Sequence, residues 1–314
     1  MWDRYDARDD DRQRDDAFGR YLSRGSRGAS DKRRRDFDDS EDPRDVFLRD
    51  LDLPRDDARE RVDERTRSYS LNHDDSRTLA TVGAFRVVAE RDLEGQGGGA
   101  ANARATLRHL EREGLARTSA LAPGERAVVL TDRARDLLEA HRIDRPDREH
   151  EPGQAFYAGL RKPRELTHDT AVYRAYARAE ARIRASGGRV RRVVLDYEVK
   201  RDYQRFLQER NRGRRDHDGR PDREVEEVIA WARAHDLPYF DDQVHIPDAR
   251  VEYDDRDGRS RHEDLEVVTA HYRGAHAGAA GRSGFTCYRS GGHGVGGRTG
   301  GRRTPDPRLA EEFL

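Results

Sequence analysis

The residues best placed to do chemistry are arginines on one side of a short amphipathic helix. In ANARATLRHLER, residues 101–112, helical spacing puts Ala103, Leu107 and Leu110 on one side. Ala101, Ala105, Arg108 and Arg112 fall roughly opposite, with Arg104 at the flank. A guanidinium is a fixed fork of donors matched to phosphate oxygens. Small residues near the start of such a helix let it come close to a DNA backbone or base edge. Arg126 adds a fourth cation in a nearby turn, although Glu125 beside it weakens that turn for phosphate contact. The plain alternative is that the arginines form the solvated face of a packing or dimerisation module.

Other chemistry finds less support. His262, His271 and His276 lie near Glu263 and Glu266, with His245 not far away. None has HExxH spacing, and His271 and His276 would diverge by about 140° on a helix, so a zinc site is not expected. No His-x-His tripeptide is present for relaxase chemistry. Cys287 lacks a histidine partner and reads as a small buried hydrophobe. The glycines at 97–99 and in GGHGVGGRTGGRR are not followed by a GK[ST] element, so nucleotide binding is not expected.

The arginine helix needs elements to hold it. Leu79, Val82 and Phe85 give a preceding helix an apolar face, and Gly97, Gly98 and Gly99 supply a turn that Asn102 or Ala101 follows as helix start. Gly114 stops the helix. TSAL and RAVVL, joined by Ala122-Pro123-Gly124-Glu125, read as two strands; Thr131 or Asp132 then caps a helix carrying Leu137 and Leu138. Helix, short strand, short helix, helix, two strands, helix is the order of a winged helix-turn-helix, placed at 75–142. The tripeptide Leu130-Thr131-Asp132 resembles the same place in winged regulators of the MarR type.

Composition sets the wider bounds. The chain has 314 residues, room for two ordinary domains, but is only 33% hydrophobic and 40% charged, so part of it is expected not to pack. Its 62 basic and 63 acidic residues nearly cancel, leaving local arginine patches to supply any affinity for nucleic acid. One cysteine excludes a disulfide framework, and no apolar run approaches a membrane span or signal peptide. A cytoplasmic location without membrane partners is the expectation. Residues 1–43 read as a disordered mixed-charge leader, 44–74 as a connecting arm, and 143–164 as a linker with a basic patch at Arg161, Lys162 and Arg164. An α/β domain is expected over 165–290, and a glycine-rich tail with a short terminal helix over 291–314.

Within 165–290 the pattern gives a helix after Thr167 ending at Gly187-Gly188, then a strand VRRVVLDYEV, a helix through Gln208 and an exposed loop. A helix with Val225, Val228, Ile229 and Ala232 inward follows, then two strands around an acidic turn at 254–258, a short helix from His271, and a strand GFTCYR. With Pro247-Asp248 opening one strand, this order resembles the core of restriction-type nucleases of the PD-(D/E)xK class. That resemblance implies Mg²⁺ held between Asp248 and Glu266, with Glu180 as the helix carboxylate and a lysine to orient water. The lysine position is Val268 here, and Lys200, at the end of the first strand, is the candidate to replace it. The two-part arrangement also resembles the replication-relaxation family of bacterial plasmid and mobile-element proteins, through Pro247-Asp248-Ala249 and Leu265-Glu266-Val267.

The expectation is therefore an α+β chain: a winged helix-turn-helix, then a small mixed-sheet domain resembling a degenerate restriction-type nuclease core. Its expected role is a DNA-binding accessory or regulatory protein of a plasmid or mobile element. Arg104, Arg108, Arg112 and Arg126 would contact double-stranded DNA, and the second domain would mediate assembly, as a homodimer or with replication or mobilisation proteins. The alternatives are a DNA-nicking or -cleaving nuclease using Asp248, Glu266, Glu180 and Lys200, with Mg²⁺ needed only in that case, and an assembly component that does not bind DNA.

Overall fold

A computed structural model of the chain describes residue 42 and residues 45–94, 99–122, 124–143, 152–159, 166–212, 223–268 and 282–289. The leader up to residue 41, the patch at Arg161, Lys162 and Arg164, the short helix expected from His271 and the glycine-rich tail lie outside the described residues.

The described part opens with a short turn segment and a hairpin, β1 (Glu60–Glu64) and β2 (Arg67–Leu71), with Val62 paired to Tyr69. Alternation turns Val62, Tyr69 and Leu71 into the core. Asn72 then starts α1 (His73–Phe85) through a reciprocal capping box: its side chain accepts the Asp75 N–H at 3.0 Å, and the Asp75 carboxylate accepts the Asn72 N–H at 3.1 Å. Arg86, held at φ +65°, turns the chain into β3 (Val87–Ala89). There follow α2 (Glu90–Leu93), α3 (Gly99–Arg112), β4 (Ala116–Ala122), β5 (Glu125–Leu130) and α4 (Asp132–Ala140). The three strands form an antiparallel sheet in the order β3-β5-β4. Gly114, at φ +71°, lets the chain reverse after α3, and the Leu115 N–H closes on the Leu110 carbonyl at 2.9 Å. Leu79, Val82, Phe85, Leu107, Leu110, Leu137 and Leu138 are all buried together, as the apolar spacing predicts.

The remainder comprises α5 (Leu166–Ala185), β6 (Arg189–Leu195), α6 (Asp196–Gln208), α7 (Val225–Ala234), the hairpin β7 (Tyr239–Phe240) and β8 (Gln243–Val244), then β9 (Ala249–Asp254), β10 (Ser260–Val268) and β11 (Thr286–Arg289). β11-β10-β9-β6 form a mixed sheet, parallel only between β10 and β11. The whole is a mixed α+β fold. Two expectations change here. The strand from Val190 ends at Leu195: the Asp196 N–H still reaches the Asp248 carbonyl in register at 3.1 Å, but Asp196 and Glu198 favour a helix start there. Lys200 consequently sits on α6, one turn in. Val225, the first residue of α7, is 53% exposed instead of inward.

The core does not stop between the two parts. Phe85 meets Phe47 at 5.4 Å, Tyr173 at 5.0 Å and Tyr176 at 4.8 Å between ring centroids. Phe47, Leu48, Leu51 and Leu53, from the expected arm, are buried in the same cluster. Residues 152–159 run as an extended strap: the Gln154 amide exchanges two 2.9 Å hydrogen bonds with the backbone of Val193, Tyr157 N–H donates to Gly83 O at 2.8 Å, and Gly159 N–H to Leu130 O at 2.9 Å. A Cβ on Gly83 would stand 2.9 Å from Leu138 and 3.0 Å from Phe156, which accounts for glycine where the strap crosses α1. Phe85→Ala should cost about 3–5 kcal/mol, read as a lower urea midpoint with an unchanged slope.

Candidate nucleic-acid interface and carboxylate cluster

α3 buries Ala103, Leu107 and Leu110 and exposes Ala101, Arg104, Ala105, Arg108 and Arg112, the division its spacing predicts. The four candidate cations are not equivalent. Arg104 lies 3.5 Å from Glu94 and 3.9 Å from Glu90. Arg126 is 3.5 Å from Glu111 and 3.7 Å from Glu90, and also donates to the Thr118 hydroxyl. Among the described residues, Arg108 and Arg112 hydrogen-bond to the carbonyls one turn back, Arg104 O at 3.2 Å and Arg108 O at 3.3 Å. Among the described residues neither has a carboxylate partner. Asn102 is not a cap: it is inside the helix, and its amide donates to Asp74 at 2.5 Å.

The back of α3 is fixed by polar contacts. His109 is buried, with Nε2 2.7 Å from Ser70 O and 3.7 Å from Asp75. Asp75 is fully buried and takes Arg59 at 2.6 Å; burial pushes its carboxyl above the ordinary range, opposed by the Asn72 N–H, His109 and Arg59. The turn between β4 and β5 is tied to α5, since Arg174 bonds Glu125 at 2.7 Å and Asp92 at 2.6 Å.

The second set of candidates is brought together in part. Asp248, just ahead of β9, accepts the Val267 N–H at 2.7 Å through Oδ2, and the same oxygen is 3.2 Å from His168 Nε2. The other ring nitrogen of His168 faces Asp169 at 3.6 Å. Burial works against the imidazolium, but hydrogen bonds to Asp169 and Asp248 push its pKa up to about 10. Lys200 Nζ bonds Asp196 at 2.6 Å. Burial opposes its charge as well, yet Asp196 and then Asp248 and Glu266 raise it above the usual lysine value. Lys200 thus lies in the field of both carboxylates, coming from a helix and not from the strand position held by Val268. Glu266 is buried on β10, paired in register with Cys287, which is exposed and not the buried hydrophobe its sequence context suggests.

Glu180 stands apart from this cluster. It lies twelve residues beyond His168 on α5, about 18 Å at 1.5 Å per residue, and pairs with Arg184 at 3.5 Å. Burial raises its carboxyl, opposed by Arg184 and helped by the Asp42 charge. The α5 group that does reach Asp248 is His168, on the first turn of the helix. His168, Asp169 and Asp196 were the residues not anticipated; their signal was their place at the ends of a helix and a strand, where polar side chains can converge.

These residues do not fit a divalent ion held by protein side chains. Among the described residues no three His, Cys, Asp or Glu are arranged to hold one, and one oxygen of Asp248 is already committed to Val267 and His168. No reaction step is therefore derived through Mg²⁺. Among the described residues no helix is long and apolar enough to cross a membrane. No family model, no curated protein and no solved structure matches the chain.

The His168 pairs have a pH signature. Their folded value lies above the ordinary 6.5, so their stabilisation is complete below about pH 6.5, fades as pH rises, and is gone above about 10. Wild type should lose stability relative to His168→Gln between about pH 7 and 10, measured as urea midpoints across that range.

Proposed function

We propose that the chain is a DNA-binding accessory or regulatory protein of a plasmid or mobile element, and that α3 is its contact with duplex DNA. The observation that carries the reading is the exposed pair Arg108 and Arg112, which no described carboxylate neutralises. The order α1, β3, α2, α3, β4, β5, α4 supports reading this part as a winged helix-turn-helix, with α3 as the helix offered to the duplex. The plasmid or mobile-element setting rests on the resemblance carried by residues 247–249 and 265–267. The α/β part, joined to the first by one core, serves in this reading as the platform for assembly.

The cluster at Asp248 is read as a salt-linked joint. His168 and Lys200 supply the positive charge that a nuclease of the PD-(D/E)xK type would draw from a metal, and the helix carboxylate expected at Glu180 is elsewhere. Phosphodiester cleavage is thus not the function adopted for it.

The test is fluorescence anisotropy on a short duplex near 50 mM salt. Arg108→Ala with Arg112→Ala should weaken binding by about tenfold or more, and should reduce the slope of log affinity against log salt by about 2. An unchanged affinity in a folded double variant would remove these arginines from the interface. Wild-type protein that binds no duplex under these conditions would leave an assembly role in place of the DNA reading.

A further inference from the structure

We infer that α3 takes the duplex by its phosphates alone, so that binding is independent of base sequence; the inference rests on the DNA-binding reading above. A helix that reads bases needs hydrogen-bonding side chains free near its N-terminal half, where it enters the major groove. The first half of α3 offers methyl groups at Ala101 and Ala105, which discriminate bases weakly. Its two side chains suited to base edges are both engaged. The Asn102 amide is bound to Asp74, on α1, at 2.5 Å. The Arg104 guanidinium is drawn toward Glu94 at 3.5 Å and Glu90 at 3.9 Å.

Thr106, on the next turn, is buried and cannot substitute for them. Arg126, the cation nearest on β5, is held among Glu111, Glu90 and Thr118. What remains is Arg108 and Arg112 on the second half of α3, a turn and two turns beyond Arg104. Cations there meet the strand backbone beside the groove, where every sequence presents the same phosphate oxygens. The carboxylates at Glu90 and Glu94 add a second effect: their negative charge beside Arg104 opposes close approach of the polyanion there.

The experiment uses the full chain. Competition anisotropy is run with A·T-rich, G·C-rich and mixed duplexes of about 20 base pairs, beside selection from a randomised pool. Affinities within about threefold across the panel, with no motif enriched by selection, are expected. A selected sequence bound about a hundredfold tighter than the panel would overturn the inference while leaving DNA binding intact. Absence of binding to every duplex would instead defeat the underlying reading, and the inference with it. Glu90→Gln with Glu94→Gln gives an independent arm, because it releases Arg104. Affinity should rise, and its spread across the duplexes should widen, because a freed Arg104 can reach guanine edges. No change in either quantity would show that these carboxylates do not restrain Arg104, and the inference would fall.

Discussion

Phe85 ends α1 with its ring against Phe47, Tyr173 and Tyr176, contributed by the segment before the hairpin and by α5. Each of these rings buries a large apolar area that its own local element cannot cover. The consequence reaches past stability. α5 must lie where Tyr173 and Tyr176 meet Phe85, and from there its inner face also covers the mixed sheet through Ala175, Ala179 and Ile183. Its first residue, Leu166, packs on the opposite face of the three-stranded sheet with Val87, Ala127 and Val129. One helix therefore sets the relation between the part that carries α3 and the part that carries Asp248.

Charge in this protein is abundant and mostly spent locally. Exposed ion pairs contribute little stability each, so the many pairs on the surface do not explain the fold. They matter because they decide which cations are available to anything else. Arg104, Arg126 and Arg174 are turned toward Glu90, Glu94, Glu111, Glu125 and Asp92, while Arg108 and Arg112 are not. With near balance over the whole chain, the proposed attraction of a duplex rests on this local asymmetry.

At Asp248 the same principle acts at a partly buried site. His168 comes from α5, Lys200 and Asp196 from α6, Glu266 from β10 and Asp248 from the entrance to β9. Four elements end at one place, and their polar side chains satisfy one another there because burial makes an unpaired charge expensive. Carboxylates matched to a nuclease by strand position alone meet, in the folded chain, cations already in place.

Much of the first part was legible in the sequence. Apolar residues at helical spacing, the glycine at 114 and the Thr131 cap are local signals, and local backbone physics acts on them in the same way wherever they lie; the inward and outward sides of α3 followed directly. Strands β6, β9, β10 and β11 were legible for the same reason, apart from the end of β6, where acidic residues start a helix; the short hairpin of β7 and β8 was not. The partners were not legible. That Arg104 meets carboxylates while Arg108 meets none among the described residues, that Asn102 reaches Asp74, that Glu180 is remote from Asp248 while His168 touches it, all depend on which elements pack side by side. The sequence by itself determined most of the secondary elements and most of the sides they turn to solvent, because those are set within a few residues. Only the tertiary structure decided which charges meet, because Coulomb and hydrogen-bond energies depend on separations in space that chain order does not encode.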